Sequence, residues 1–386
     1  MSARTTRKRA RTEEQDEDLP LPKRELDVDG SAGGPGPSNS QPEADSEGQA
    51  REGQVFKKDE EFWFEDGTVI IVARDTEFRV YEGLLAGLSP VFRGLFAESH
   101  EQRIVPMRGG QTLSCPIVGV SDAPGDLRHL LRACFSRRLG SLYEEREPSY
   151  HEISAAIRLG DKYKLVELYS QSLDYLKRYF PSTLDSWTAL ESYVPPGWRD
   201  VEAIGVVNLA RTLSGELSIL PAALVACICG GGSQSAENGS RDAENNSGIV
   251  YGIAREDGSQ EVLSPRDLSI CFDGKTSLRS ATIAAFCRTF EPTVSRGCKT
   301  SGDCKRALRN VLLSLEKNLK ALLDGDPFAA YHEFTGGGID ICSSCMSAVK
   351  KQSLKERMRV WDRLPELLGV EVPGWKVEHP PDAVAS

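Results

Sequence analysis

The sequence predicts an α+β fold: a small, mainly antiparallel or mixed sheet capped by helices, followed by a mostly helical C-terminal region. Three observations carry this expectation. A β-branched run, Thr68-Val69-Ile70-Ile71-Val72, follows the turn signal Asp66-Gly67, and an alternating run, Phe78-Arg79-Val80-Tyr81, follows Asp75-Thr76, so the two pair as a hairpin. The apolar period then lengthens: Leu84, Leu85, Leu88, Val91, Phe92, Leu95 and Phe96 recur at helical spacing. Beyond residue 185 the apolar patterns, such as Val201, Ile204, Val207 and Leu209, again run near the helical period.

In chain order, residues 1–54 contain no aromatic and are rich in Gly, Pro, Ser, Glu and Asp, so they cannot bury enough apolar surface to order and predict a disordered tail. Arg7-Lys8-Arg9, Arg11 and Lys23-Arg24 within it have the composition of a nuclear import signal or of a solvated charge run. The first folded block spans 55–181. After the hairpin, Ser89-Pro90 starts a second helix, with Ser as its cap and Pro at its first position, which makes a helical hairpin. Cys115 to Val120 reads as a third strand, and Leu127, Leu130, Leu131, Cys134 and Phe135 as an amphipathic helix. Ser149 with Glu152 forms a capping box for the next helix, and Leu165 to Tyr179 forms the last one before Pro181.

Residues 185–229 predict a helical extension whose second helix, through Ile219, Leu220, Ala223, Leu224 and Cys227, is largely apolar and needs cover. Gly230 to Gly248 carries Ser, Asn, Glu and Gly and reads as a flexible linker, 230–248. Residues 249–375 predict a mostly helical C-terminal domain and 376–386 a short tail. Basic residues on 347–363, with Glu356, Trp361 and Asp362, describe an amphipathic helix packing on its own domain.

The blocks Phe62-Trp63-Phe64-Glu65-Asp66-Gly67-Thr68-Val69-Ile70-Ile71-Val72, Thr76 to Tyr81, Leu84-Leu85, Ser89-Pro90-Val91-Phe92 and Leu95-Phe96 resemble, in order, the opening of a BTB/POZ domain. They are most similar to its fungal branch, as is Val118 to Leu131, and the likeness covers 55–181. The resemblance implies a protein-interaction module that forms a homodimer or recruits partners. In some members it implies an adaptor on a cullin scaffold of a ubiquitin ligase, or a transcriptional regulator. Leu84, Leu85, Leu88, Val91, Phe92, Leu95 and Phe96 are expected to divide between core and partner interface, two of the seven facing outward. Two positions depart from the family: Tyr81 stands where His is frequent, and Glu98-Ser99-His100-Glu101-Gln102 lacks the aliphatic-x-Glu pattern that contacts cullins.

No Gly-rich phosphate loop leads into Lys-Ser or Lys-Thr, and His100, His129, His151, His332 and His379 lack metalloprotease spacing. The expectation is therefore a non-enzymatic chain with no catalytic and no cofactor-binding residues. A formal net charge of −10 disfavours a role in coating nucleic acid, although a local basic patch stays open. The longest apolar run, around Ile219 to Ile228, is too short to cross a membrane, so the expected location is nuclear or cytoplasmic and not secreted.

Ten cysteines in 386 residues do not make the dense framework of a small disulfide-stapled domain. Cys342-Ser343-Ser344-Cys345 is a C-x-x-C pair opening a helix, and Cys298 and Cys304 lie in a loop that Gly297 and Gly302 let turn. Between the pairs runs one apolar helix through Leu308, Val311, Leu312, Leu315 and Leu319. Cys298, Cys304, Cys342 and Cys345 are the candidate ligands of a structural zinc ion. Inert buried thiols, redox chemistry and a disulfide stay open beside it.

Overall fold

The computed structural model describes residues 56–107, 109–135, 143, 147–213, 216–230, 247–335 and 338–375. The N-terminal tail with its basic clusters, residues 231–246 of the linker and the C-terminal tail lie outside the described residues.

The fold is α+β, with a five-stranded mixed sheet followed by helices. Strand β1 (Lys57–Trp63) precedes the expected hairpin of β2 (Val69–Ala73) and β3 (Thr76–Val80). Val69 pairs with Val80 and Ala73 with Thr76 across the two-residue turn Arg74-Asp75, where Arg74 takes a left-handed φ of 52°. Helix α1 (Glu82–Leu88) and helix α2 (Pro90–Ala97) form the helical hairpin. Its corner is fixed by Ser89, whose Oγ accepts the Phe92 N–H at 3.0 Å and donates to the Tyr163 carbonyl at 2.5 Å. Strand β4 (Gln102–Pro106) and strand β5 (Thr112–Val120) follow, and the sheet order is β1-β3-β2-β5-β4.

The sheet thus has two strands more than the sequence suggests, and both are edges. Edge strand β1 is mostly charged, with only Asp59 and Phe62 buried, and edge strand β4 buries only Val105. Asp59 explains why such a strand stays attached. It accepts the Glu61 and Phe62 N–H groups and takes Arg128 of helix α3 (Pro124–Phe135) at 2.7 Å. Strand β5 begins three residues before the expected Cys115 because its first half pairs with β4.

Helix α4 (Tyr150–Lys162) starts at the expected capping box, with Glu152 N–H on Ser149 Oγ and Ser149 N–H on the Glu152 carboxylate. Helix α5 (Val166–Tyr179) completes the first block. One core, built on Ile71, Phe78, Leu85, Phe92, Leu127 and Leu159, lies between the sheet and the helices that cap it.

Three helices follow: α6 (Leu184–Thr188), α7 (Ala203–Thr212) and α8 (Leu220–Gly230). Every residue of α8 except Cys229 is buried. After α9 (Ser247–Tyr251) comes a small hairpin of β6 (Ile253–Ala254) and β7 (Gln260–Glu261). The rest is α10 (Pro265–Thr289), α11 (Ser301–Leu313), α12 (Leu315–Asp324), α13 (Ser343–Asp362) and α14 (Leu364–Leu368). The single helix expected through Leu308 to Leu319 is two. Ser314 leaves the helical conformation between them and donates its hydroxyl to the Val311 carbonyl at 3.0 Å.

The second and larger core runs from Tyr150, Ile153 and Ile157 of α4 through all of α8 to Phe286, Trp361 and Trp375. Helix α4 therefore serves both cores, since Ala156 and Leu159 belong to the first. The described residues from Phe56 onward form one compact unit, so the three sequence blocks are regions of it and not separate bodies. Helix α13 packs against α10, and Cys345, Val349, Ser353, Glu356 and Val360 form its buried face, as an amphipathic helix on its own domain should. Buried Glu356 accepts Arg288 at 2.6 Å, Gln352 at 3.0 Å and Arg359 at 3.0 Å.

Two substitutions test this packing. Gly205 of α7 lies where a methyl group would overlap the Tyr150 ring of α4, so Gly205→Ala is expected to lower stability by about 3 kcal/mol. The denaturant midpoint would fall at unchanged slope. Glu356→Ala strips Arg288 and Arg359 of their acceptor, but both guanidinium groups are half in water and can rehydrate, so the expected loss is about 2 kcal/mol, read in the same titration.

Candidate functional site

The C-x-x-C pair is placed by a helix start. Cys342 is the N-cap of α13 in extended conformation and Cys345 lies in its first turn, so both sulfurs reach the same end of the helix. Cys304 lies in the first turn of α11, its N–H bonded to the Thr300 carbonyl at 3.0 Å, and Cys298 closes a turn on the Ser295 carbonyl at 3.0 Å. The four Sγ atoms lie within 4.8 Å of one another, and Cys342 and Cys298 are 3.7 Å apart. Four thiolates around one ion at about 2.3 Å would stand about 3.8 Å apart, so the cluster is near the size of a tetrahedral S4 site.

The local fields favour thiolates unevenly. The Cys342 N–H donates to Cys304 Sγ at 3.3 Å and Thr300 Oγ1 lies 3.3 Å from it, which holds the Cys304 thiol down at about 7. Burial pushes the Cys345 thiol up to about 12 and raises Cys298 as well. Helices α11 and α13 both present their N-termini here, where their dipoles favour anionic sulfur. Among the described residues no other group of three or more His, Cys, Asp or Glu gathers in this way.

Of the other cysteines, Cys115, Cys227 and Cys271 are buried, and Cys287 is exposed. Cys227 of α8 meets Cys271 of α10 inside the larger core, and that mutual contact together with burial raises the Cys227 thiol. No disulfide joins any pair among the described residues.

The helical hairpin divides the seven expected interface residues. Leu85, Phe92 and Phe96 are core, not partner surface: Phe92 stacks on Tyr163 with centroids 4.1 Å apart and on Phe96 at 5.6 Å. Leu95 is half-buried. Leu84, Leu88 and Val91 are 39%, 50% and 38% exposed, three outward residues where two were expected. Beyond them Glu98 to Glu101 lead into β4, and His100 Nε2 bonds the Leu95 carbonyl at 2.6 Å.

A polar joint escapes sequence reasoning. Asp126 of α3 accepts both Arg158 at 3.1 Å and Arg255 at 2.9 Å, while Arg74 meets Asp257 at 3.0 Å and His129 meets Glu256 at 2.9 Å. The pairs of Arg255, Glu256 and Asp257 hold the β6–β7 hairpin against the first block, and Arg158 braces Asp126 from within that block. His129 and His151 lie on helices as expected, with His151 beside this joint. The partners are up to 183 residues apart in sequence, so no local pattern announces them.

No family model and no curated protein matches the chain. Among the described residues no helix is long and apolar enough to cross a membrane.

Proposed function

We propose that this chain is a BTB-type protein-interaction module that pairs with a second copy of itself through its helical hairpin and carries a structural zinc ion in its C-terminal region. The carrying observation is the apolar trio Leu84, Leu88 and Val91, left in solvent on α1 and α2 while the other face of that hairpin fills the core. The element order supports the reading: edge strand β1, the β2–β3 hairpin, the helical hairpin, strands β4 and β5, then helices α3 to α5. Association through such a surface buries aliphatic side chains and requires no catalytic group. No observation favours a cullin-bound adaptor over self-association.

Cys298, Cys304, Cys342 and Cys345 would hold the zinc. Four thiolates fill a tetrahedral sphere and leave no position for an activated water, so the ion would contribute folding free energy and not catalysis. It would pin the loop before α11 to the start of α13 and close the excursion of α11 and α12 between them.

Light scattering behind size-exclusion chromatography is expected to give twice the 42.3 kDa chain mass at micromolar concentration, and a clean monomer would end the self-association reading. Leu88→Asp with Val91→Asp should return the monomer while changing stability by less than about 1 kcal/mol, because both side chains are exposed. For the metal, elemental analysis of protein purified without a histidine tag should find about one zinc per chain, lost together with thermal stability in Cys342→Ser. Less than about a tenth of a zinc, with all four thiols titratable in the native state, would exclude it.

A further inference from the structure

The helices that meet at the cysteine cluster carry a charge opposite to that of the whole molecule. Residues 295–310 and 340–359 hold ten Lys and Arg against three Asp and Glu, in a chain whose formal net charge is −10. The three acids are largely spent or peripheral: Glu356 is buried under Arg288 and Arg359, and Asp303 pairs with Arg306 at 3.5 Å. What remains is cationic and free. Lys299 in the loop, Lys305 and Arg309 on α11, and Lys350, Lys351 and Lys355 on α13 are all exposed, and none has a carboxylate within ion-pair distance among the described residues.

Their placement follows from the helix periods. The buried stripe of α11 is Cys304, Leu308 and Val311, which turns Lys305 and Arg309 outward one turn apart. On α13 the buried stripe is Cys345, Val349, Ser353 and Glu356, which leaves Lys351 and Lys355 a turn apart on the solvent side with Lys350 beside them. Lys350 follows Cys345 by five residues, about 8 Å along the helix. Five of the six cations thus lie within about two turns of a cluster cysteine, in the loop or on the two helices that begin there, and Lys355 extends the stripe to about 15 Å along α13. A divalent ion among four thiolates leaves a net dianion, which two cations would balance. Six exceed that need.

We propose that this surface binds the phosphate backbone of duplex nucleic acid, in a way that does not depend on base sequence. Unpaired Lys and Arg on exposed helix faces are the groups that replace condensed counterions along a duplex. The same segments argue against other polyanions. Residues 295–310 and 340–359 contain no Phe, Tyr or Trp, so there is no stacking platform for single-stranded bases. A membrane surface would require an apolar stripe beside the cations, whereas α13 exposes only Leu354 and α11 only Leu313, its last residue, among their large apolar side chains. The inference is independent of self-association, because a monomer presents the same helices.

The test is fluorescence anisotropy of the full chain with a random-sequence duplex of about 30 base pairs, titrated between about 50 and 200 mM salt. The expected result is binding that weakens about a thousandfold across that range, with a log–log slope of about −5 for six displaced counterions. The combined variant Lys305→Glu, Arg309→Glu, Lys350→Glu and Lys351→Glu should weaken binding at low salt by at least about thirtyfold, with an unchanged melting temperature and zinc content. Should that variant fail to fold, Lys350→Gln with Lys351→Gln is expected to reduce the slope by about 2. A variant with Arg7, Lys8, Arg9 and Arg11 changed to Ala should bind as the parent does. The proposal is overturned if the duplex does not bind at low salt, if binding survives the changes on α11 and α13, or if only the Arg7 to Arg11 variant loses it. It is equally overturned if phosphatidylserine vesicles are bound and the duplex is not.

Discussion

Helix α8 is the constraint around which this molecule is arranged. From Leu220 to Gly230 it carries no charged side chain, and nothing in it could face water without loss. Each Leu, Val or Ile buried is worth about 1.5–3 kcal/mol relative to exposure, so a helix of this composition demands neighbours on every side. The structure supplies α7, α10 and α14, and brings them close. Gly274 of α10 is one of the points where this matters, because a side chain there would press on Leu368 of α14 and Ile228 of α8. The length of α10, 25 residues, lets it cover α8 and still run on to receive α13.

The polar features sit at the margins of that apolar arrangement and fix its geometry. Glu356 sets how α13 lies on α10 through acceptors that only a carboxylate could provide to Arg288, Arg359 and Gln352 together. The cysteine cluster lies at the opposite end of α13, where the helix begins. Between these two points the position of α13 is defined along its length, one end by a carboxylate and the other by four sulfurs. The joint of Asp126, Arg158 and Arg255 does the same for the β6–β7 hairpin against the first block.

Where the chain was legible from sequence, a local rule and the tertiary environment agreed. The Ser89-Pro90 helix start and the Ser149 capping box rest on residues within four positions of one another, the β2–β3 hairpin on two adjacent runs joined by a two-residue turn, and all three are found. Strands β1 and β4 were not legible because edge position removes the alternation that marks a strand: Ile104 of β4 is 73% exposed, and β1 is held by an Arg128 contact 69 residues away. The break at Ser314 was hidden for a different reason, since the apolar spacing continues through it while one hydroxyl redirects the backbone. For the cluster, the C-x-x-C half was plain. The assignment of Cys298 and Cys304 to it, out of eight other cysteines, rested on loop freedom and needed the fold to bring the pairs together.

The double duty of α4 has a consequence for how such a protein could be reused. A helix that gives Ala156 and Leu159 to one core and Ile153 and Ile157 to the other makes the first block an inseparable part of its host. Cut away from the C-terminal helices, the block would bare a continuous face of Tyr150, Ile153, Ile157, Leu173 and Leu176. Recombination that grafted it onto an unrelated chain would transplant an adhesive surface along with the fold. A fusion that kept the block folded would have to carry its companion helices with it, which leaves more room for change at solvent-facing helix surfaces than at the junctions between its parts.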